Sequence, residues 1–193
     1  MKKRSSRIIG LAGIMVFVLL AGAMTSYAQD NKRFGFGFGF NTLKGMDSRI
    51  AGNGNMFLLT FKLSEDFDVS LLREQIKIGG SGVSAAETKV EIDIDCAITG
   101  LRIMRRISKI LGIGIDIGNA SYSYGIQDSA LMGGLIATIT TIESRDTLFN
   151  SKLDIDLGYR IFNINHKDVF SNPKDQLTNL DSFLIGLNFK ILF

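Results

Sequence analysis

The residues of this 193-residue chain that carry charge in a repeating pattern are the first candidates for its chemistry. Glu91, Asp93 and Asp95 fall two apart, as do Asp154 and Asp156, and Asp116 lies inside a run of alternating apolar residues. Lys62, Arg102, Arg160 and Lys190 occupy comparable runs. A spacing of two puts side chains on one face of a β-strand. Charges of both signs turned toward the inside of a closed sheet pair with one another, because an isolated buried charge is costly. The chemistry expected of these ten residues is an internal ion network. A hard-cation site on Glu91, Asp93 and Asp95 is the alternative, since such ions take carboxylate oxygens. A strand, however, spreads the three carboxylates along its length, and there is no compact DxDxDG loop. Neither a metal nor a cofactor is expected.

Catalysis has little to stand on. The single histidine, His166, lies near Asp168 and Ser171 in a polar stretch, with no spacing that sets a nucleophile, a base and an orienting group together. Cys96 falls among Ile92, Ile94 and Ile98 and reads as a small apolar side chain on the outer, apolar face of its strand. The glycines of FGFGFGF and LGIGIDIG alternate within strands and open no helix, so they read as space left for neighbouring side chains, not as phosphate loops.

Strands must position these residues, and the period of two recurs along the chain. Phe34, Phe36, Phe38 and Phe40 alternate with glycine. Phe57, Leu59, Phe61 and Leu63 follow, and Phe67, Val69 and Leu71 begin a third run after three polar residues, which is hairpin spacing. In that run Ile76 and Ile78 have the opposite parity, which predicts a β-bulge within 72–75. A fourth strand sets Val90, Ile92, Ile94, Cys96 and Ile98 against Glu91, Asp93 and Asp95, and the fifth sets Ile113, Ile115 and Ile117 against Gly114 and Asp116. The sixth, 131–142, offers Leu135, Ala137 and Ile139 on one face and Ile136, Thr138 and Thr140 on the other, so its facing stays open. The seventh and eighth, 153–161 and 182–193, alternate cleanly. Polar segments 43–54, 79–88, 120–130 and 163–181 read as long loops at one end, with shorter links at the other.

The first residues carry Lys2, Lys3, Arg4 and Arg7, run into an apolar stretch over 8–24, and reach Ser26-Tyr27-Ala28. This is the pattern of a secretory leader cleaved after Ala28. The domain plan expected is a signal peptide over 1–28 and one folded domain over 29–193. The formal charge of the whole chain is +3, with 22 basic and 19 acidic residues. Losing four basic residues with the leader leaves 18 against 19, a net charge of −1, so no basic surface points to nucleic acid. One cysteine supplies no disulfide framework.

Bulky apolar residues on one face and Gly, Asp, Asn, Thr, Lys and Arg on the other suit an eight-stranded barrel, whose lumen barely admits side chains, with the bulky face toward lipid. A closed barrel also satisfies every backbone group within lipid. The terminal run 182–193, ending on Phe189, Ile191 and Phe193, resembles the last strand of bacterial outer-membrane proteins, and Leu157-Gly158-Tyr159-Arg160 is similar to a stretch common in the small barrels of that superfamily. The resemblance implies an all-β, antiparallel, up-and-down transmembrane barrel in the outer membrane. It also implies that Phe189, Ile191 and Phe193 form the signal read by the barrel assembly machinery. Partners expected are outer-membrane lipid, that machinery, and an extracellular ligand bound through the loops. The function expected is structural or surface-interactive and not catalytic. The alternatives are a narrow channel for small hydrophobic solutes, with room left by the glycines, and a lipid-modifying enzyme using His166. Tyr122, Tyr124, Tyr159 and several Phe are the candidates for a sparse aromatic girdle, as Trp is absent.

Overall fold

The computed structural model describes residues 33–46, 50–83, 89–124, 126–145, 148–163 and 180–193. The proposed leader, the Ala28/Gln29 junction, His166 and most of 163–181 lie outside the described residues. Eight strands follow in chain order: β1 Phe34–Gly45, β2 Ile50–Ser64, β3 Phe67–Val83, β4 Lys89–Arg106, β5 Leu111–Tyr124, β6 Ile126–Arg145, β7 Asn150–Asn163 and β8 Ser182–Leu192. Each pairs antiparallel with its neighbours, and β8 closes on β1. The closing seam is held at its lower end by mutual hydrogen bonds between the backbones of Phe34 and Phe193, at 3.3 and 2.6 Å.

Following one row of paired residues around the wall measures how the barrel closes. Phe67 pairs with Arg105, Arg105 with Ile113, Ile113 with Ala137 and Ala137 with Leu157. The row continues through Ile185, Thr42 and Asn53 and returns to β3 at Lys77, ten residues above its start. With strands 4.8 Å apart and a rise of 3.3 Å per residue, that shear tilts the strands by about 40°.

Along this row the outer face passes from apolar to polar. Near the tight turn at Glu65 and Asp66, the outward side chains are those of Phe67, Leu71, Leu101, Ile113, Leu135, Leu157 and Phe189, all exposed. Farther up the same strands the outward residues are Asn53, Asn55, Arg73, Gln75, Lys77, Asn119 and Ser121. A spanning strand needs about 9–11 residues, whereas β3, β4 and β6 have 17, 18 and 20. The wall therefore projects well beyond its apolar belt at one end.

This projection corrects two expectations and settles the facing of β6. Segments 43–54 and 120–130 are mostly strand, and 79–83 extend β3: only 46–49, 84–88 and residue 125 separate the paired strands there. The predicted bulge in β3 is absent, because Phe67 to Val83 pairs with β4 without interruption. The parity flips there because the surroundings change. Next to lipid Phe67 and Leu71 point out, and above it Ile76 and Ile78 point in, as in any water-soluble core. For β6, Leu135, Ala137 and Ile139 face outward while Ile136 and Thr138 are buried inside. Its ladder shifts register between Thr140 and Ile142, opposite Leu153.

Candidate functional site

The buried polar side chains meet in the lumen at the level of the belt. Arg102, fully buried on β4, forks onto Asp116 of β5, with Nε donating to Oδ1 at 2.7 Å and Nη2 to Oδ2 at 2.9 Å. Its Nη1 donates to Asp156 Oδ2 of β7 at 2.5 Å. Arg160 donates to Asp116 Oδ2 at 3.1 Å and to Glu74 Oε2 of β3 at 2.6 Å. Glu74 also accepts from Asn41 Nδ2 of β1 at 2.8 Å, and Asp156 accepts from Thr138 Oγ1 of β6 at 2.7 Å and from Asn188 of β8. Asn41 Nδ2 makes a weaker contact with the sulfur of Met56 on β2 at 3.6 Å, so all eight strands join one network. Two guanidiniums face three carboxylates, and the planar fork of arginine suits such shared, two-pronged contacts.

Glycine makes the space. A Cβ on Gly39 would strike the Asn188 amide, and one on Gly186 would strike the Asn41 amide. The inward Gly37 likewise lies against the Lys190 stem. Gly37 and Gly39 thus leave room that the neighbouring Lys190 and Asn188 side chains already fill, while Gly35 lies against the Ile191 backbone and Leu192.

Below the network, Lys190 pairs with Asp154 at 3.0 Å, Thr140 donates to the same carboxylate at 2.8 Å, and Lys152 lies 3.5 Å from Glu143. Above it lies an apolar layer that includes Ile76, Ile94, Cys96, Ile98, Tyr122, Met132 and Phe162, all buried. The lumen is charged where the wall meets lipid and hydrophobic where the wall meets water.

Of the ten residues expected to form the lumen network, Arg102, Asp116, Asp156 and Arg160 lie together, with Asp154 and Lys190 in the lower pair. Lys62 points inward near the turn end and is half-buried. Asp93 and Asp95 are a correction, since both are exposed on the outer face and take no part in the lumen. The Glu91 side chain lies outside the described residues. Arg102 and Asp95 have opposite parity on one unbroken strand, so one of them had to point outward, and the Asp116 and Asp156 carboxylates hold Arg102 inside. Cys96 shares the parity of Arg102 and is buried in the lumen instead of on the lipid face, and Tyr122 is buried beside it and not in the girdle. Glu74 and Asn41 were not singled out from the sequence. Glu74 sits where the supposed bulge was placed; an uninterrupted parity from Ser70 would have put it inside. Among the described residues no three His, Cys, Asp or Glu side chains group as metal ligands would.

The outer face of the projecting wall carries a second feature, a concave strip of about 920 Å³ across β1–β5. Two cross-strand rows bound it. One runs from Phe40 through Asn55 and Gln75 to Ser121, and the other from Thr42 through Asn53, Lys77 and Asp95 to Ser123. Amides and hydroxyls dominate, and Thr42 donates to Asn53 Oδ1 at 3.0 Å.

A closed antiparallel barrel with a continuous exposed apolar belt and a paired-charge lumen defines a transmembrane β-barrel, because only lipid can cover that belt without penalty. Solved structures share this fold. The chain superposes on Neisserial surface protein A with a TM-score of 0.53 at 9% identity, covering 84% of this chain and 98% of that one. It superposes on OprG of Pseudomonas aeruginosa with a TM-score of 0.50 at 11% identity, covering 85% and 99%. For Ail of Yersinia pestis in a phospholipid bilayer nanodisc the values are 0.50 and 11%, covering 81% and 99%. No protein-family model and no curated protein sequence matches the chain. The fold is the one these outer-membrane β-barrel structures share, an eight-stranded closed barrel with an apolar outer belt.

Proposed function

We propose that this barrel is a non-catalytic envelope protein whose lumen is a rigid strut and whose projecting wall presents a binding surface outside the cell. The observation that carries the reading is the ion network crossing the lumen through all eight strands, closed above by apolar side chains. A water-filled path would have to break several charge-assisted hydrogen bonds at once. Of the glycines invoked for a solute channel, Gly35, Gly37, Gly39 and Gly114 have their space occupied, which weighs against that reading. The concave strip on the wall, rich in Asn, Gln, Ser and Thr, supplies the surface for a polar ligand. Planar-bilayer recording of the refolded barrel tests the strut: no stepwise conductance is expected, and sustained conductance would overturn it.

The same reading takes 1–28 as a cleaved leader and Phe189, Ile191 and Phe193 as the assembly signal. Phe189 and Phe193 point outward on the closing strand, where a partner strand or chaperone would meet them before closure. Sequencing the mature N-terminus should begin at Gln29.

A further inference from the structure

The lipid-facing belt holds a second groove, of about 690 Å³, running diagonally from Phe67 of β3 across β4–β8. One bank runs from Ile103 through Leu135 to Phe183, and the other from Arg105 through Ala137 to Leu157. Its apolar flanks are continuous with the rest of the belt, so hydrocarbon covers it. Ala137 is the low point of one bank, lying between Ile113 and Leu157 on the neighbouring strands.

Arg105 sits at the lower end, beside Phe67 and one residue from the end of β4, at the level of the tight turns. It is exposed, and none of the ion pairs among the described residues uses it. A guanidinium at the rim of a hydrocarbon layer lies at the depth of lipid phosphates, and its planar fork can donate to two of a phosphate's oxygens at once. From Arg105 the groove climbs into the belt, because strand tilt makes each pairing row rise from strand to strand. A phospholipid has the same layout, with its phosphate at the membrane edge and its chain running toward the midplane.

We propose that this groove is a binding site for an anionic phospholipid of the leaflet at the turn end, with the phosphate on Arg105 and one acyl chain laid past Ala137. The site rests on the reading of the barrel as membrane-embedded, and the test separates failure of the two. The chain has no Trp, so Phe67→Trp places a single fluorophore beside Arg105, and Phe38→Trp on β1 places a control elsewhere on the belt. The full chain is refolded into phosphatidylcholine vesicles containing a minor fraction of brominated phosphatidylglycerol or brominated phosphatidylcholine.

At Phe67→Trp the brominated anionic lipid should bind about five-fold more tightly than the zwitterionic one, with no preference at Phe38→Trp. The preference should vanish with Arg105→Gln, which removes the cation, and with Ala137→Phe, which fills the groove from its lipid side. It should survive Arg73→Gln, an exposed cation above the belt. Equal quenching by both lipids at Phe67→Trp, or a preference retained in both groove variants, would overturn the site. Loss of quenching with rising protein concentration and a doubled mass would assign the groove to a second copy and overturn it too. If neither reporter is quenched by either lipid, the barrel is not in the bilayer, and the membrane reading fails with the site.

Discussion

At the scale of single residues, Arg102 carries the most consequence. Its guanidinium is fully buried and shared between Asp116 and Asp156. Removing one partner of a buried charge pair leaves the other uncompensated, at a cost of about 3–5 kcal/mol. Arg102→Met should lower unfolding stability in vesicles by that amount, read as a shift in the urea midpoint. Arg145→Ala removes a pair in which the arginine side chain is 67% exposed, and should change stability by less than about 0.5 kcal/mol. Equal effects would mean that the lumen network contributes nothing beyond a surface pair. Glycines divide in the same way. Gly39→Val drives a side chain into the Asn188 amide and should cost about 1–3 kcal/mol, while Gly133→Ala, whose Cβ meets nothing, should be neutral.

At the scale of an element, one strand face crosses two media. On β5 the outward residues run Ile113, Ile115, Ile117, then Asn119, Ser121 and Ser123. Ile115→Arg places a charge in the belt and should cost about 2–4 kcal/mol near the midplane. Ser121→Arg, six residues along the same face, should be tolerated. The pair of urea midpoints checks where the lipid ends, and an equal penalty at both positions would put the projecting wall inside the bilayer. β4 shows the inverse on its inner face. Cys96 should resist a water-soluble maleimide in the folded barrel and react after unfolding, as its thiol lies in the upper apolar layer. Composition alone misleads at this scale. The residues 120–123 look like part of a loop because Ser121 and Ser123 face outward above the belt from a strand that continues past Ile117.

For the whole molecule, closure decides stability and assembly together. The β1–β8 seam ends on the paired backbones of Phe34 and Phe193, and the Phe193 ring lies 5.7 Å from that of Phe36. Deleting Phe193 should reduce the yield of the compact, heat-modifiable form on gels while leaving the chain able to bind vesicles. Unchanged yield would remove the terminal residue from the assembly signal.

From the sequence alone came the number of strands, their period, the bulky apolar face of the belt, and the inward placement of Arg102, Asp116, Asp156 and Arg160. A period of two with a Gly- or charge-rich face has few other physical solutions. Tertiary structure alone decided that Glu74 and Asn41 join the network, that Asp93 and Asp95 face water, and that the wall outruns the membrane. Alternation assigns residues to two faces without saying which medium each face meets. Register and closure settle that: they tie Arg102 to Asp116 and Asp156 across the lumen, and every other residue of β4 must follow its parity.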